Sequence, residues 1–243
     1  MVGARAWRSG VPLLRRLLAE GIDIGLHLDL TLAPLLRRSY QASSLIVAAY
    51  AHRLDRSTLR NEIAAQLDTI EGALGRAPAF VDGHQHAHQL PAVRDELIGE
   101  LAQRYGSDRP WLRSTRPGVP WQPFGRGRNG TLKASVIAAL GAEGLSALAR
   151  RHGFSQNTRL LGVHDFRGGA PRYRQLLAAW LGAARDGDLL LCHPGLPLSD
   201  EDPLGRAREA EYAVLASPAF ERMIDERGIA LRPMSRILAR AAT

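Results

Sequence analysis

The chain has 243 residues, of which 45% are hydrophobic and 23% charged, as in an ordinary globular protein. No apolar run approaches the roughly 20 residues that a membrane-spanning helix needs, and the first residues hold no apolar segment long enough for a signal peptide. The sole cysteine, Cys192, excludes a disulfide framework and a thiolate metal cluster. We therefore expect a cytoplasmic protein without a transmembrane segment, folded as one domain over residues 1–243.

The net charge of +8 raises the question of nucleic-acid binding. Almost all of the excess is arginine, since Lys133 is the only lysine, and the arginines are spread along the whole chain. Pairs such as Arg15-Arg16 and Arg150-Arg151 are typical of solvated helix faces. The sequence therefore predicts no specific nucleic-acid partner. It leaves the oligomeric state open, with a homo-oligomer among the alternatives.

The first strand pattern covers residues 22–30, after a helix pattern at residues 11–18. Aliphatic residues fall on one face of this strand, and small or polar residues fall on the other. Such a strand suits a (β/α) barrel, because aliphatic residues pack under the surrounding helices and polar groups point into the barrel. His27, on the polar face, is therefore a candidate metal ligand. The alternative is a hydrogen-bonded interior histidine.

The stretch from 79 to 91 is the most informative part of the sequence, because it places three of the eight histidines at every other position after Asp82. Its apolar lead predicts a strand, and on an extended backbone Asp82, His84 and His86 would project to one side. Folds of the α/β class place their chemistry at strand ends. Imidazoles beside a carboxylate are typical of zinc sites. The alternative is a polar loop whose histidines form local hydrogen bonds.

The second half of the chain continues the alternation of helices and strands. Residues 160–166 and 188–193 predict two more strands. Near-continuous leucine in the latter indicates a parallel strand buried on both faces, which ends at His193. The whole pattern predicts an α/β protein with one parallel sheet or barrel.

Residues 117–130 lack periodicity and are rich in Pro, Gly and Arg, so they predict a long loop that contacts substrate. In this loop Trp121 and Phe124 are candidates for stacking on a sugar ring, or for simple packing. Arg113, at the end of a short predicted strand, could position a substrate hydroxyl or carbonyl. The alternative is an arginine packed at the strand end.

Three motifs now stand in order: GLHLDLT at 25–31, DGHQHAH at 82–88 and CHPG at 192–195. Together they resemble the YdjC-like carbohydrate deacetylases, which include chitooligosaccharide and hopanoid-associated deacetylases. The resemblance covers essentially the whole chain. It implies a single TIM-barrel-related (β/α) barrel-like domain. It also implies a hydrolase that removes N-acetyl groups from amino sugars, on chito-oligosaccharides or on an N-acetylglucosaminyl lipid.

The resemblance further implies a divalent metal, magnesium or zinc, held by His27 and His84. Such a metal polarises the acetamide carbonyl and lowers the pKa of a bound water. A carboxylate acts as general base, for which Asp82 is the candidate, and His193 protonates the leaving amine or has an orienting role. The predicted substrate contacts come from four residues: His86, His88, Arg113 and Asp29. For His86 and His88 the alternative is a role behind the metal ligands, which they would orient.

One departure from the family stands out. The family opens with a strand ending in an Asn-Ala-Asp-Asp-Phe-Gly-like motif that supplies the metal aspartate and the base, whereas this chain contains no Asp-Asp pair. We therefore expect the native protein to begin upstream, with the family's first strand and helix missing here. Asp29, Asp82 or Asp165 could substitute. Two alternatives stay open: a non-catalytic relative that binds a sugar or metal, and another metallohydrolase chemistry on the same scaffold.

Overall fold

The computed structural model describes residues 1–118, 128–196 and 202–241. The helices are α1 (Trp7–Ala19), α2 (Ala42–Tyr50), α3 (Arg56–Leu74), α4 (Val93–Tyr105), α5 (Arg128–Ala139), α6 (Ala142–Arg151), α7 (Gly169–Gly182), α8 (Gly205–Leu215), α9 (Pro218–Asp225) and α10 (Met234–Ala241). The strands are β1 (Leu26–Leu28), β2 (Phe80–Gly83), β3 (Trp111–Leu112), β4 (Leu160–Leu161) and β5 (Leu189–Leu190). A 3₁₀ helix covers His84–Gln89.

Internal contacts divide the chain into two compact units. Unit 1 comprises Met1–Ser114, Ala139–Asn157 and Pro233–Thr243, and unit 2 comprises Thr115–Ala138 and Thr158–Arg232. Each unit is described by itself below. The single-domain expectation stays a prediction.

The strands of both units are parallel. Unit 1 contains a three-stranded sheet in the order β1-β2-β3, and unit 2 contains the pair β4-β5. This confirms the predicted α/β class with parallel strands. The predicted barrel-like arrangement stays a prediction, because the described strands form these two sheets only.

The core of unit 1 follows from the alternation in its first strand. Leu26, Leu28 and Leu30 are fully buried, as predicted, although β1 itself is only three residues long. They pack in one cluster with the apolar stripe of α3, formed by Leu59, Ile63, Leu67 and Ile70. Burying side chains of this size stabilises the fold by about 1.5–3 kcal/mol each.

Helix α3 begins and ends at identifiable signals. The Asp55 carboxylate accepts the Thr58 backbone N–H at 2.8 Å, so Asp55 is the N-cap. Gly75, with a φ of 72°, ends the helix in the left-handed conformation that glycine adopts at low cost.

The leucine run of β5 does not form a strand buried on both faces, so that prediction is wrong. Leu189 and Leu190 are half-buried rather than buried on both faces, and β4 is the one strand that pairs with β5 in the part of unit 2 that the structure describes. A leucine run thus also fits a strand with a neighbour on one side.

No single helix within the described ranges is long and apolar enough to cross a membrane. One bent pair of segments, Leu132–Ala139 and Ala142–Arg151, passes that test together by length and composition.

Candidate functional site

Parallel pairing brings His27 of β1 beside Asp82 of β2. The two are register partners, and the His27 Nδ1–H donates to Oδ1 of Asp82 at 2.6 Å. The aliphatic neighbours of His27 are buried on the opposite face, so the imidazole is left on the polar face with 33% of its side chain exposed. The prediction that His27 faces away from the leucines of its strand is confirmed.

This contact fixes which nitrogen of His27 is free to bind a ligand. A carboxylate only accepts hydrogen bonds, so the proton lies on Nδ1 and the lone pair on Nε2. Nε2 lies 3.4 Å from Nδ1 of His84. An aspartate behind one imidazole nitrogen, with the other nitrogen available, is the arrangement found at metal-binding histidines.

The spacing of the two histidines fits two ligands of one ion. Two nitrogens that bind a tetrahedral Zn²⁺ at about 2.0–2.1 Å lie about 3.3 Å apart. The observed distance of 3.4 Å between the two nitrogens matches this separation, and it also fits a long hydrogen bond between the two rings. No third histidine, cysteine, aspartate or glutamate completes a metal-binding group within the described residues. The described part of the chain thus offers two neighbouring donors.

Arg113 holds Asp82 from the opposite side. This arginine follows β3, is 2% exposed, and its guanidinium donates to Oδ2 of Asp82 and to the Gly83 carbonyl, the latter at 2.6 Å. It also contacts Nδ1 of His86 at 3.3 Å. The structure therefore favours an arginine packed at the strand end, and the predicted contact of Arg113 with substrate stays a prediction.

The charge on Asp82 is stabilised despite its burial. Desolvation disfavours the ionised carboxyl, but the Arg113 guanidinium and the hydrogen bond from His27 outweigh it and hold the pKa of Asp82 well below its usual range. Such a carboxylate is a poor proton acceptor near neutral pH. The contact with His27 gives Asp82 an orienting role, and its predicted role as general base stays a prediction.

The histidine stretch is a tight turn, and the expected extended backbone is wrong beyond Gly83. Gln85 and His86 adopt φ values of 50° and 60°, in the left-handed region that few side chains occupy. Gly83 is required before this turn, because a Cβ there would lie 2.7 Å from the His88 backbone nitrogen. His84 and His86 therefore leave the strand in directions that alternation alone does not give.

His88 is a structural histidine. Its side chain is fully buried, and its Nε2–H donates to the Arg113 carbonyl at 2.9 Å. Burial, together with the Arg113 charge, lowers the pKa of His88 to about 3. This burial fits the alternative role behind the metal ligands, and the predicted substrate contact of His88 stays a prediction.

Asp29 organises the loop after β1. Its carboxylate accepts the backbone N–H groups of Thr31, Leu32 and Ala33 at 2.9, 3.0 and 2.6 Å. Burial opposes ionisation, but these hydrogen bonds lower the pKa of Asp29 overall. The predicted substrate contact of Asp29 stays a prediction, because the described partners of its carboxylate are these backbone groups and the Thr31 hydroxyl.

Sequence reasoning missed the buried polar pair that supports this loop. Glu62 of α3 is fully buried and accepts the Leu35 and Leu36 backbone N–H groups at 2.7 Å each. Gln66, one turn later, bonds both Glu62 and the Asp29 backbone. Two polar residues four apart on the apolar stripe of a helix were the available signal.

Unit 2 contains the remaining predicted catalytic residue, His193. Its backbone N–H donates to Glu211 at 2.5 Å, and Glu211 also accepts from the His164 ring at 2.9 Å. Sequence reasoning assigned no role to Glu211, and 47 residues separate it from His164. Trp121 and Phe124 lie outside the described residues.

Comparison with known proteins identifies the family. The model of the family described as "YdjC-like protein" matches residues 1–226. Curated carbohydrate deacetylases from Homo sapiens and Mus musculus are 28% and 29% identical to the chain, each over 95% of it and 79% and 82% of their own lengths. A chitooligosaccharide deacetylase from an Enterobacter species is 31% identical over 44% of both chains. These relatives support the predicted enzyme class, a carbohydrate deacetylase.

A solved structure supports the fold. A protein of Enterococcus faecalis V583, described as a proposed cellobiose-phosphate cleavage protein, superposes with a TM-score of 0.66 at 18% identity. The match covers 97% of this chain and 85% of that one. At this identity the likeness concerns the fold alone. From the family match, the chain belongs to the YdjC-like protein family.

Proposed function

We propose that the chain hydrolyses the N-acetyl group of an amino sugar with the help of a divalent metal ion. The observation that carries the proposal is the 3.4 Å separation of His27 Nε2 and His84 Nδ1, with Asp82 behind His27. The curated deacetylase relatives support the reaction class.

His27 Nε2 and His84 Nδ1 are the atoms that would hold the ion. When bound, a divalent ion polarises an acetamide carbonyl and lowers the pKa of a coordinated water. Imidazole favours zinc, whereas magnesium prefers carboxylate and water oxygens, so the two donors favour zinc.

Each supporting residue then has a definite role. Asp82 keeps the His27 proton on Nδ1, and Arg113 keeps Asp82 ionised and fixed. In the hydrolysis, the carbonyl carbon gains a bond to the water oxygen and loses its bond to nitrogen, and the proton that the water loses is balanced by the proton that the departing amine gains. We assign that proton transfer to His193, and substrate contact to the half-buried His86.

Acetate release tests this proposal. The purified chain, supplied with Zn²⁺ or with Mg²⁺, is incubated with N-acetylglucosamine oligomers, and free acetate is measured. We expect His84→Ala to abolish release, because one of the two donors is lost. His152→Ala is the matched control, since His152 is an exposed histidine of the same unit. Full activity of His84→Ala would refute the site.

A non-catalytic relative is the second candidate, favoured by one observation. The described residues supply two donors and no third to complete a metal-binding group. This candidate predicts that the oligomers bind and that no acetate appears with either metal. Calorimetric titration beside the acetate assay separates the two functions.

A further inference from the structure

In unit 2, His164 is held by hydrogen bonds at both ring nitrogens. The Phe166 backbone N–H donates to Nδ1 at 3.2 Å, so the ring proton lies on Nε2. Nε2 lies 2.9 Å from Oε1 of Glu211. The two side chains are 5% and 1% exposed, so this hydrogen bond is shielded from water and strengthened by its surroundings.

The second oxygen of Glu211 holds the segment that carries His193. Oε2 accepts the His193 backbone N–H at 2.5 Å. The same helix, α8, offers the Arg208 carbonyl to the Gly195 N–H at 3.2 Å. Two hydrogen bonds to α8 therefore fix the backbone on both sides of Pro194, and one carboxylate joins the segments that follow β4 and β5.

The His193 imidazole itself rests on Phe166. The two rings meet edge to face, with centroids 5.3 Å apart at 74°. Phe166 has a φ of 59°, which is strained for an aromatic residue. Its N–H is the one that bonds His164, so the His164 hydrogen bond supports this conformation. Strain held by buried partners is typical of functional sites.

We propose that Glu211 and His164 are positioning residues that hold the His193 imidazole in the position required for proton transfer. This inference rests on the deacetylase function proposed above. Glu211 contacts the backbone of His193, and His164 contacts the backbone of the residue against which the His193 ring packs. Displacing a reacting group by about 1 Å costs about 10²-fold in rate.

The first test is Glu211→Gln. The amide oxygen can accept one of the two N–H groups, and its NH₂ cannot accept the other. We expect kcat for acetate release from N-acetylglucosamine oligomers to fall about 10²-fold, with KM changed less than about twofold. Tyr173→Phe is the control. It removes a buried hydroxyl with no hydrogen-bond partner in the described residues, and the ring still packs against His164. It should leave kcat unchanged.

A double variant separates positioning from a general effect on folding. If Glu211 acts through His193, adding Glu211→Gln to His193→Ala should lower kcat no further. Losses that multiply across the two substitutions would overturn the inference.

Phe166→Leu tests the same inference if Glu211→Gln does not fold, because this substitution leaves both hydrogen bonds of Glu211 intact. We expect kcat to fall about tenfold as the His193 ring loses its aromatic support. An unchanged kcat would overturn the inference.

A nuclear magnetic resonance measurement distinguishes this inference from the proposed function. If the wild-type chain releases no acetate, the function fails, and the His193 ring signals of ¹⁵N-labelled protein then test positioning alone. We expect them to move in Glu211→Gln and to stay in place in Tyr173→Phe. Signals that stay in place in Glu211→Gln would overturn the inference.

Discussion

Two buried carboxylates, one in each unit, are stabilised by different kinds of partner. Asp82 of unit 1 contacts the Arg113 guanidinium as well as the His27 ring. The two hydrogen bonds described for Glu211 of unit 2 come from an imidazole N–H and a backbone N–H. Asp82 is thus part of an ion pair, whereas Glu211 depends on hydrogen-bond geometry. Removing the charge of the carboxylate should therefore lower the free energy of unfolding more in unit 1. Changing the direction of its hydrogen bonds should have the larger effect in unit 2.

The largest expected effect is that of Asp82→Asn. The amide can still accept the His27 proton, but the buried Arg113 guanidinium loses its counter-charge. Breaking a buried ion pair by neutralising one partner costs about 3–5 kcal/mol of unfolding free energy. Urea denaturation of the variant and the wild type measures this loss.

Asp68→Asn is the matched control for that loss. Asp68 also bonds an arginine, Arg104, at 2.6 Å, but its side chain is 67% exposed. An exposed pair contributes about 0–1 kcal/mol. Equal destabilisation by the two substitutions would show that burial does not set the strength of the Asp82 pair.

The next effect is a pH dependence from His88. Its pKa is about 3 in the folded chain, against 6.5 as the ordinary value, so the unfolded chain binds one more proton between these pH values. The contribution of neutral His88 to the free energy of unfolding is therefore fully present above about pH 6.5. Between about pH 6.5 and pH 3 it falls with decreasing pH by about 1.4 kcal/mol per pH unit. The free energy of unfolding, measured from pH 7 to pH 4, should show this slope.

His88→Gln tests the assignment of the slope, because glutamine does not titrate and can still donate to the Arg113 carbonyl. We expect the pH dependence to weaken by one proton. His152→Gln, the same substitution at an exposed position of unit 1, is the matched control. An identical slope in His88→Gln and the wild type would contradict the assignment.

The smallest expected loss of unfolding free energy is that of Glu62→Gln. Glu62 is a buried carboxylate of unit 1, and its described partners are neutral, like those of Glu211. Glu62→Gln leaves one of the two bonded N–H groups, from Leu35 or Leu36, without an acceptor. An unsatisfied buried group costs about 1–3 kcal/mol, which chemical denaturation can measure. Glu20→Gln, on the exposed surface of unit 1, should cost about 1 kcal/mol or less. A loss as large as that of Asp82→Asn would remove the distinction between charged and neutral partners.

The sequence was sufficient to predict the positions of His27 and Asp82 in the candidate site of unit 1. Strict alternation placed His27 opposite the leucines of its strand, and the motif placed Asp82 at the end of the next strand. Both predictions need only the twofold period of a strand. Parallel neighbours then bring the two residues side by side.

The rest depended on information that periodicity does not contain. The positions of His84 and His86 follow from two consecutive left-handed residues, which no alternation rule predicts. The role of Arg113 depends on which carboxylate lies within its reach. The hydrogen bond between His164 and Glu211 requires a strand end and a helix to meet across 47 residues. Local pattern cannot show such a pairing.

The mutual hydrogen bonding of the 84–89 turn and β3 has a consequence for motion. Arg113 donates to the Gly83 carbonyl before the turn, and its own carbonyl accepts the His88 ring within it. The turn cannot lift away unless both bonds break and a buried guanidinium is exposed. Its amide protons should therefore exchange with solvent as slowly as those of the sheet, so that the candidate metal donor His84 and the candidate substrate contact His86 belong to a rigid part of the unit.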